Sequence, residues 1–171
     1  LFLIVLSLGI CICWSHHLYS SGISTESGDK NTPAELRLKW YKQHLDLKET
    51  SIFKNLKWRS IGPSEGSGRI TDIAVPKGKP YTIYVSAASG GVWKTVNNGT
   101  TWDPIWDHAA SNAVGDIAVS ESNPDILWVG AGENNARRWS YSGTGVYKSI
   151  DAGETWQHMG LSDAHTTGRI V

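Results

Sequence analysis

The chain has 171 residues, which is enough for one ordinary domain, and 40% of them are hydrophobic, which is enough for a packed core. Sixteen basic and sixteen acidic residues cancel, so no overall charge points to nucleic acid or to an anionic membrane as a partner. Nine tryptophans and eighteen glycines indicate a repeated position for a large ring and many tight turns.

The first element is an uncharged and nearly continuous apolar run from Leu1 to Trp14. It is shorter than the ~20 residues of a membrane span and is typical of the apolar part of a secretory signal peptide. Residues 1–22 are therefore predicted to be a signal peptide that lacks its start, with an uncleaved anchor as the alternative. Both cysteines lie in this run, so the mature part is predicted to have no disulfide. A secreted or bacterial cell-envelope protein is expected, without other membrane contact.

Residues 23–57 are predicted to be a polar linker followed by a short helix. Thr32 fits the N-cap, Pro33 the first helical position, and Glu35 lies three residues after the cap. The helix is predicted to run to about Lys48. It would be amphipathic and pack on the main domain, or alternatively bind a partner, through one stripe formed by Leu36, Trp40 and Leu47.

From residue 58 onward the sequence repeats. Asp116 follows its counterpart Asp72 by 44 residues, whereas Gly153 follows Gly99 by 54, so ten extra residues lie in the second copy. Each copy has four short apolar segments separated by turns, which is typical of a propeller blade. Residues 58–171 are thus predicted to be all-β, the N-terminal part of a β-propeller of four-stranded blades. The third blade is cut off, and Trp58–Gly62 supplies a ring-closing fourth strand.

Each copy contains a hairpin motif known as an Asp-box. In this motif an Asp side chain accepts backbone hydrogen bonds in a tight turn, Gly adopts a positive φ, and Trp packs beneath. The first copy has Thr95 in place of Ser, and Asn in place of Asp. The motif is predicted to be structural, and its residues are Asn97, Gly99, Trp102, Ser149, Asp151, Gly153, Thr155 and Trp156.

The runs Trp58–Pro63, Gly90–Thr95 and Gly145–Ser149, together with the Asp-boxes, resemble the bacterial neuraminidase repeat family of propellers. They most resemble exported bacterial proteins with a sortilin-type N-terminal propeller. The resemblance implies a binding or scaffolding module for a glycan or a peptide. The alternative is a glycoside hydrolase, xyloglucanase-like or sialidase-like, with catalytic residues mostly in later blades. Xyloglucanase-type relatives place an acid in a Thr-Asp-x-Gly-Gly motif, where this chain has Ala88.

If strands alternate in direction, the loops after second and fourth strands share one face, which we call the loop face. The ten extra residues fall there and combine two arginines with aromatic rings, the side chains that most often anchor a ligand. The predicted ligand-binding residues are Glu133, Arg137, Arg138, Trp139 and Tyr141, although the same residues could instead pack against the blade edge.

The other polar residues of the repeat are predicted to be structural. Asp72 and Asp116 occupy equivalent positions on the innermost strands and are expected to accept hydrogen bonds between blades. His108 and His165 recur after a fourth strand, but two histidines without a third ligand do not make a metal site. No catalytic residue is assigned, and no metal, cofactor or nucleic-acid partner is predicted.

Overall fold

The helix and the strands follow the predicted order along the chain. The computed structural model describes residues 32–57, 68–135 and 140–171. They contain one helix, α1 (Ala34–Thr50), and the strands β1 (Ile70–Ala74), β2 (Ile83–Ala87), β3 (Gly91–Thr95), β4 (Asp103–Pro104), β5 (Val114–Val119), β6 (Leu127–Ala131), β7 (Val146–Ser149) and β8 (Gln157–His158). The predicted signal peptide, residues 1–22, and the predicted ring-closing strand, Trp58–Gly62, lie outside the described residues.

The strands form two four-stranded antiparallel sheets, ordered β1-β2-β3-β4 and β5-β6-β7-β8. Both sheets have a register shift at the same place, between Ile70 and Asp72 in the first and between Val114 and Asp116 in the second. The sequence repeat is therefore a structural repeat, and the predicted all-β class is confirmed. The closure of such sheets into a ring stays a prediction.

The core of the described part lies between the two sheets. Trp106, which follows β4, is buried, and its ring lies edge-on to the rings of Tyr147 and Trp156, with centroids 5.1 and 4.9 Å away. The indole N–H of Trp156 donates a 2.8 Å hydrogen bond to the carbonyl oxygen of Ile105. Aromatic side chains of the second sheet thus hold the end of the first sheet in place.

Both hairpins that the sequence predicts to be Asp-boxes are closed by side-chain hydrogen bonds of the same pattern. In the second, Asp151 Oδ1 accepts from the Thr155 amide at 2.9 Å and from the Ser149 hydroxyl at 2.7 Å. In the first, Asn97 Oδ1 accepts from the Thr101 amide and from the Thr95 hydroxyl, both at 2.9 Å. An amide oxygen therefore takes the place of the carboxylate without changing the turn.

The hairpins place two successive residues in the left-handed region, rather than the glycine alone. Asn98 and Ala152 both have φ 57°, and the glycines that follow them, Gly99 and Gly153, have φ 86° and 92°. Asn tolerates this conformation through local hydrogen bonding, whereas Ala has no such compensation. The second hairpin therefore contains a strained residue that the motif alone does not reveal.

Helix α1 begins one residue later than predicted. Pro33, not Thr32, occupies the N-cap position, and no side chain caps the helix there. Pro suits this end because it has no N–H to be left unpaired. The described residues contain no helix that is both long enough and apolar enough to cross a membrane.

The face by which α1 docks also differs from the prediction. Ala34 is buried, the Arg37 guanidinium donates to the carbonyl oxygens of Gly143 and Ser162, and the Tyr41 hydroxyl donates to the carbonyl oxygen of His108. These contacts are polar and end on loop backbone, so they need no apolar stripe. Of the predicted stripe, Trp40 and Leu47 are exposed and Leu36 is partly buried.

Candidate functional site on the loop face

Loops from both sheets meet on one face of the molecule, as strand direction predicts. The Ser111 hydroxyl, in the link from β4 to β5, donates to the carbonyl oxygen of Ser142 in the β6–β7 loop at 3.0 Å. The amide of Gly143, in the same loop, donates to the carbonyl oxygen of His165 at 2.7 Å. The prediction of a shared loop face is confirmed by these contacts.

A polar cleft of about 430 Å³ lies on this face, lined by Ser89, Ser111, Asn112, Ala113, Tyr141 and Ser142. Tyr141 is 61% exposed, so its ring is available to a ligand. Within the described part of the chain, the lining side chains are hydroxyls, one amide, one methyl and one phenol, without a formal charge. A neutral ligand rich in hydroxyl groups matches this lining better than an ion does.

Some of these polar groups are held in place, and others are free. Ser111 Oγ accepts from the Ala113 amide at 3.2 Å, and the Ser142 hydroxyl lies 3.0 Å from His165 Nδ1. The side chains of Ser89 and Asn112 form no hydrogen bond with any described residue. The floor of the cleft is thus preorganised, while two side chains keep donors and acceptors for a ligand.

The predicted ligand residue Glu133 is not among the residues that line the cleft. Its side chain is 2% exposed and forms an ion pair with Arg69. Arg69 also donates to the carbonyl oxygen of Asn135 at 3.0 Å, and Glu133 forms a β-bridge with Thr167. These contacts tie the start of the β6–β7 loop to two neighbouring segments, so Glu133 orders the loop and does not reach the cleft.

Of the other four predicted ligand residues, Tyr141 is described by the structure, and it lines the cleft. Arg137, Arg138 and Trp139 lie outside the described residues. Sequence reasoning did not single out Ser89, Ser111, Asn112 or Ser142. The available signal was their position in loops assigned to this face, because small polar side chains have no motif of their own.

Asp72 and Asp116 occupy equivalent positions on β1 and β5, the first strands of the two sheets. Asp116 Oδ2 accepts from the Ile170 amide at 2.5 Å, which links the second sheet to the segment that follows it. Burial is the main cause that raises the pKa of Asp116, and the neighbouring charge of Asp72 raises it further. The Asp116 carboxylate is therefore occupied by a structural hydrogen bond to the backbone of the following segment.

Ala88 lies at the end of β2, where xyloglucanase-type relatives are expected to have an acid. It is 2% exposed, and its amide donates to the carbonyl oxygen of Arg69 at 2.9 Å. A methyl group cannot transfer a proton or attack a sugar carbon. This position therefore contributes no catalytic carboxylate.

The opposite face, which carries the hairpins, is occupied by structural contacts. The Lys94 ammonium donates to the carbonyl oxygen of Ala152 at 3.0 Å, and the Tyr84 hydroxyl lies 3.5 Å from the same oxygen. Burial, with the charges of Asp125 and Glu154, raises the pKa of Tyr84 to about 12. The described residues contain no group of three or more His, Cys, Asp or Glu side chains placed to hold a metal ion.

A second cleft of about 430 Å³ lies at the outer edge of the two sheets. Tyr41 of α1, Trp106 and Trp156 contribute to its wall. Trp106 is buried and Trp156 is hydrogen-bonded to Ile105, so these rings already serve the contact between the sheets. The loop-face cleft is the candidate ligand site because it lies where loops of both sheets meet and because the exposed ring of Tyr141 lines it.

Comparison with known proteins gives a distant likeness to one class of enzymes. No family model matches the sequence. A xyloglucanase from a Paenibacillus species is 24% identical over 105 residues, which cover 58% of this chain and 10% of that protein. The chain therefore spans only a tenth of the length of this curated relative.

Several solved structures are also similar to parts of the chain. An ancestral GH74 enzyme has a TM-score of 0.47 and 19% identity, covering 61% of this chain and 14% of the enzyme. The GH74 enzyme of Niastella koreensis has a TM-score of 0.40 and 20% identity, covering 55% of this chain and 14% of the enzyme. The GH74 xyloglucanase of Xanthomonas campestris has a TM-score of 0.42 and 15% identity, with 52% and 15% covered.

Proposed function

We propose that this chain is part of an exported β-propeller that acts on a neutral polysaccharide of the xyloglucan type. Its described residues would contribute a sugar-binding subsite on the loop face. The observation that supports this most is the hydroxyl-rich cleft beside Tyr141, whose described lining residues carry no formal charge, in a chain that is 24% identical over 105 residues to a xyloglucanase. The sortilin-like and Asp-box family assignments stay expectations from the sequence.

The propeller part of the proposal is supported by the repeated sheets. Two four-stranded meanders with matching register shifts pack face to face, as successive blades do. The amide of Ile170 already bonds to Asp116 of the second sheet, at the place where a third blade would begin. A ring built in this way would carry the loop face at one of its two ends.

The cleft has the chemistry that binds a glucan chain. The exposed ring of Tyr141 can stack on a pyranose face, and the free Asn112 amide can bond to two adjacent sugar hydroxyls. A lining without formal charge avoids the cost of desolvating an ion against a neutral ligand. A sialic acid would need a cation for its carboxylate, and the described lining offers none.

Hydrolysis would require two carboxylates that the described loop face does not supply in a suitable arrangement. Ala88 lacks a carboxyl group, the Asp116 carboxylate accepts a structural hydrogen bond from the Ile170 amide, and Glu133 is buried against Arg69. In the proposed enzyme the catalytic pair would therefore belong to other blades. The second candidate function is a glycan-binding propeller without hydrolysis. It is favoured by Ala88, because xyloglucanase-type relatives are expected to have an acid at this position.

The test is to incubate the whole protein with xyloglucan and measure reducing ends, and separately to titrate it with xyloglucan oligosaccharides by calorimetry. Tyr141→Ala should weaken oligosaccharide binding about tenfold, since it removes an exposed ring at the cleft. Tyr81→Ala is the matched control, because Tyr81 is similarly exposed but lies in the β1–β2 turn.

The outcomes separate the candidates. Released reducing ends together with binding support the hydrolase, and binding without release supports the binding module. The absence of both binding and release would overturn the proposal. Equal binding by wild type and Tyr141→Ala would show that the cleft is not the binding site.

A further inference from the structure

The outer side of α1 and the turn after it form an apolar surface that contacts nothing in the described structure. Trp40 is 52% exposed and Phe53 is 58% exposed. We call this the α1 outer surface, and its large apolar members are Trp40, Leu47, Ile52, Phe53 and Leu56, all exposed. Five exposed large apolar side chains within seventeen residues are unusual for a soluble surface and are of the kind that marks an interaction site.

This surface is exposed because α1 docks through a different face. Arg37 and Tyr41 bond to loop carbonyl oxygens on the docked side. With 3.6 residues per turn, Trp40 and Leu47 lie about 60–120° around the helix from Arg37 and Tyr41, beside the docked side rather than on it. The docking bonds therefore hold the apolar stripe outward, and burial of that stripe needs a partner.

The segment also has a local charge that the zero net charge of the chain conceals. Residues 34–57 contain six basic side chains against three acidic ones. The five lysines among them are exposed, and none belongs to an ion pair between described residues. Lys39 and Lys48 lie on either side of the apolar stripe, whereas Glu35, Asp46 and Glu49 lie away from it.

We propose that the α1 outer surface docks the protein on an anionic lipid surface. The Trp, Phe, Leu and Ile side chains would enter the boundary between headgroups and acyl chains, while the lysines remain among the headgroup phosphates. The charge pattern favours lipid over a protein partner, because unpaired flexible lysines around an outward apolar stripe suit a diffuse negative surface. This attachment is independent of any ligand in the loop-face cleft.

The test measures co-sedimentation of the whole protein with vesicles of phosphatidylglycerol and phosphatidylcholine, compared with vesicles of phosphatidylcholine alone. The double variant Trp40→Ala/Phe53→Ala should reduce the partition onto anionic vesicles about tenfold. The double variant Lys39→Gln/Lys48→Gln should also reduce it, and ~0.5 M salt should weaken wild-type binding because it screens the lysines.

Control variants separate this effect from other causes. Tyr81→Ala and Ile150→Ala remove exposed apolar side chains elsewhere and should leave partition unchanged. The N-terminal apolar run, if retained, is the same in every variant, so differences between variants do not come from it. Circular dichroism should show the same folded state for all variants, since every substituted side chain is exposed.

Equal partition of wild type and Trp40→Ala/Phe53→Ala would overturn the proposal. So would equal binding to anionic and neutral vesicles, because the lysines would then have no role. If the apolar variant instead changes the oligomeric state in sedimentation velocity and vesicle binding is absent, the surface joins copies of the chain and the lipid proposal is wrong.

Discussion

At the scale of single residues, the two hairpins form a natural comparison between an acid and an amide. Asp151 and Asn97 accept equivalent hydrogen bonds, from Thr155 and Thr101 respectively. They differ in charge and in the bond to the threonine hydroxyl, which Thr155 donates to Asp151 Oδ2 and which Thr101 accepts from Asn97 Nδ2. Hydrogen bonds from Thr155 and then from Ser149 lower the pKa of Asp151 to about 2 from its ordinary value of 3.8. The second hairpin should therefore respond to acid where the first does not.

We expect Asp151→Ala to lower the free energy of unfolding of the whole protein by about 1 kcal/mol, because the Thr155 amide loses its acceptor. Because folding depresses the pKa, the ionised carboxylate stabilises the fold fully above about pH 4 and progressively less as the pH falls towards 2. Asp151→Asn should keep most of the stability at neutral pH and lose this acid dependence. Denaturant titrations between pH 2 and 7 measure both effects.

Loss of glycan binding in a normally stable Asp151→Ala protein would contradict the structural role of this hairpin. Oligosaccharide affinity is therefore measured on the same samples.

At the scale of elements, the contact between the two sheets depends on tryptophan as more than a large apolar side chain. Trp156 packs edge-on against Trp106 and also donates its indole N–H to Ile105 of the other sheet. The repeat has the corresponding residue Trp102 at the end of the first hairpin, where it is exposed. If the corresponding Trp of each repeat packs against the preceding sheet, Trp102 would contact a sheet that precedes β1.

Trp156→Phe should destabilise the protein by about 1–2 kcal/mol, because the ring contact is largely kept while the carbonyl oxygen of Ile105 loses its partner. Trp128→Phe is the control. The Trp128 indole lies beneath the Lys148 ammonium at 5.2 Å, and within the described residues its N–H has no acceptor. The melting temperatures of the two variants give the comparison, and equal shifts would show that the indole hydrogen bond contributes nothing.

At the scale of the whole molecule, the two sheets do not have the same surroundings. The residues of β5 at its start are buried, whereas Ile70 and Ile73 of the equivalent strand β1 are exposed. The difference arises because β5 packs against the first sheet, while in the described structure no sheet covers the other side of β1. Equivalent residues of the two repeats thus differ in burial, because within the described residues only β5 has a sheet packed against it on the side of the preceding repeat.

A fragment of residues 58–171 should therefore not unfold cooperatively as a monomer. It would expose the apolar face of β1 and the unpaired edges of both sheets, which promote association between chains. Scanning calorimetry with sedimentation velocity on this fragment provides the measurement. A single sharp transition from a monomeric sample would contradict the prediction.

The sequence by itself determined the repeat, the strands and the turns, because these depend on local chemistry. Alternating apolar residues mark the strands, and a Ser or Thr followed by Asp or Asn and then Gly closes each hairpin by bonds within a few residues. Strand direction, which follows from the number of strands, was enough to place the loops of both sheets on one face.

Only the tertiary structure decided which of those loop residues form the site. Glu133 and Tyr141 are close in sequence, yet one is buried against Arg69 and the other is exposed at the cleft. Ser89 and Asn112 come together from different loops, and no local pattern distinguishes them from other small polar residues. Helix α1 shows the same limit. Its apolar stripe is visible in the sequence, but the polar bonds of Arg37 to distant carbonyl oxygens determine that the stripe points outward.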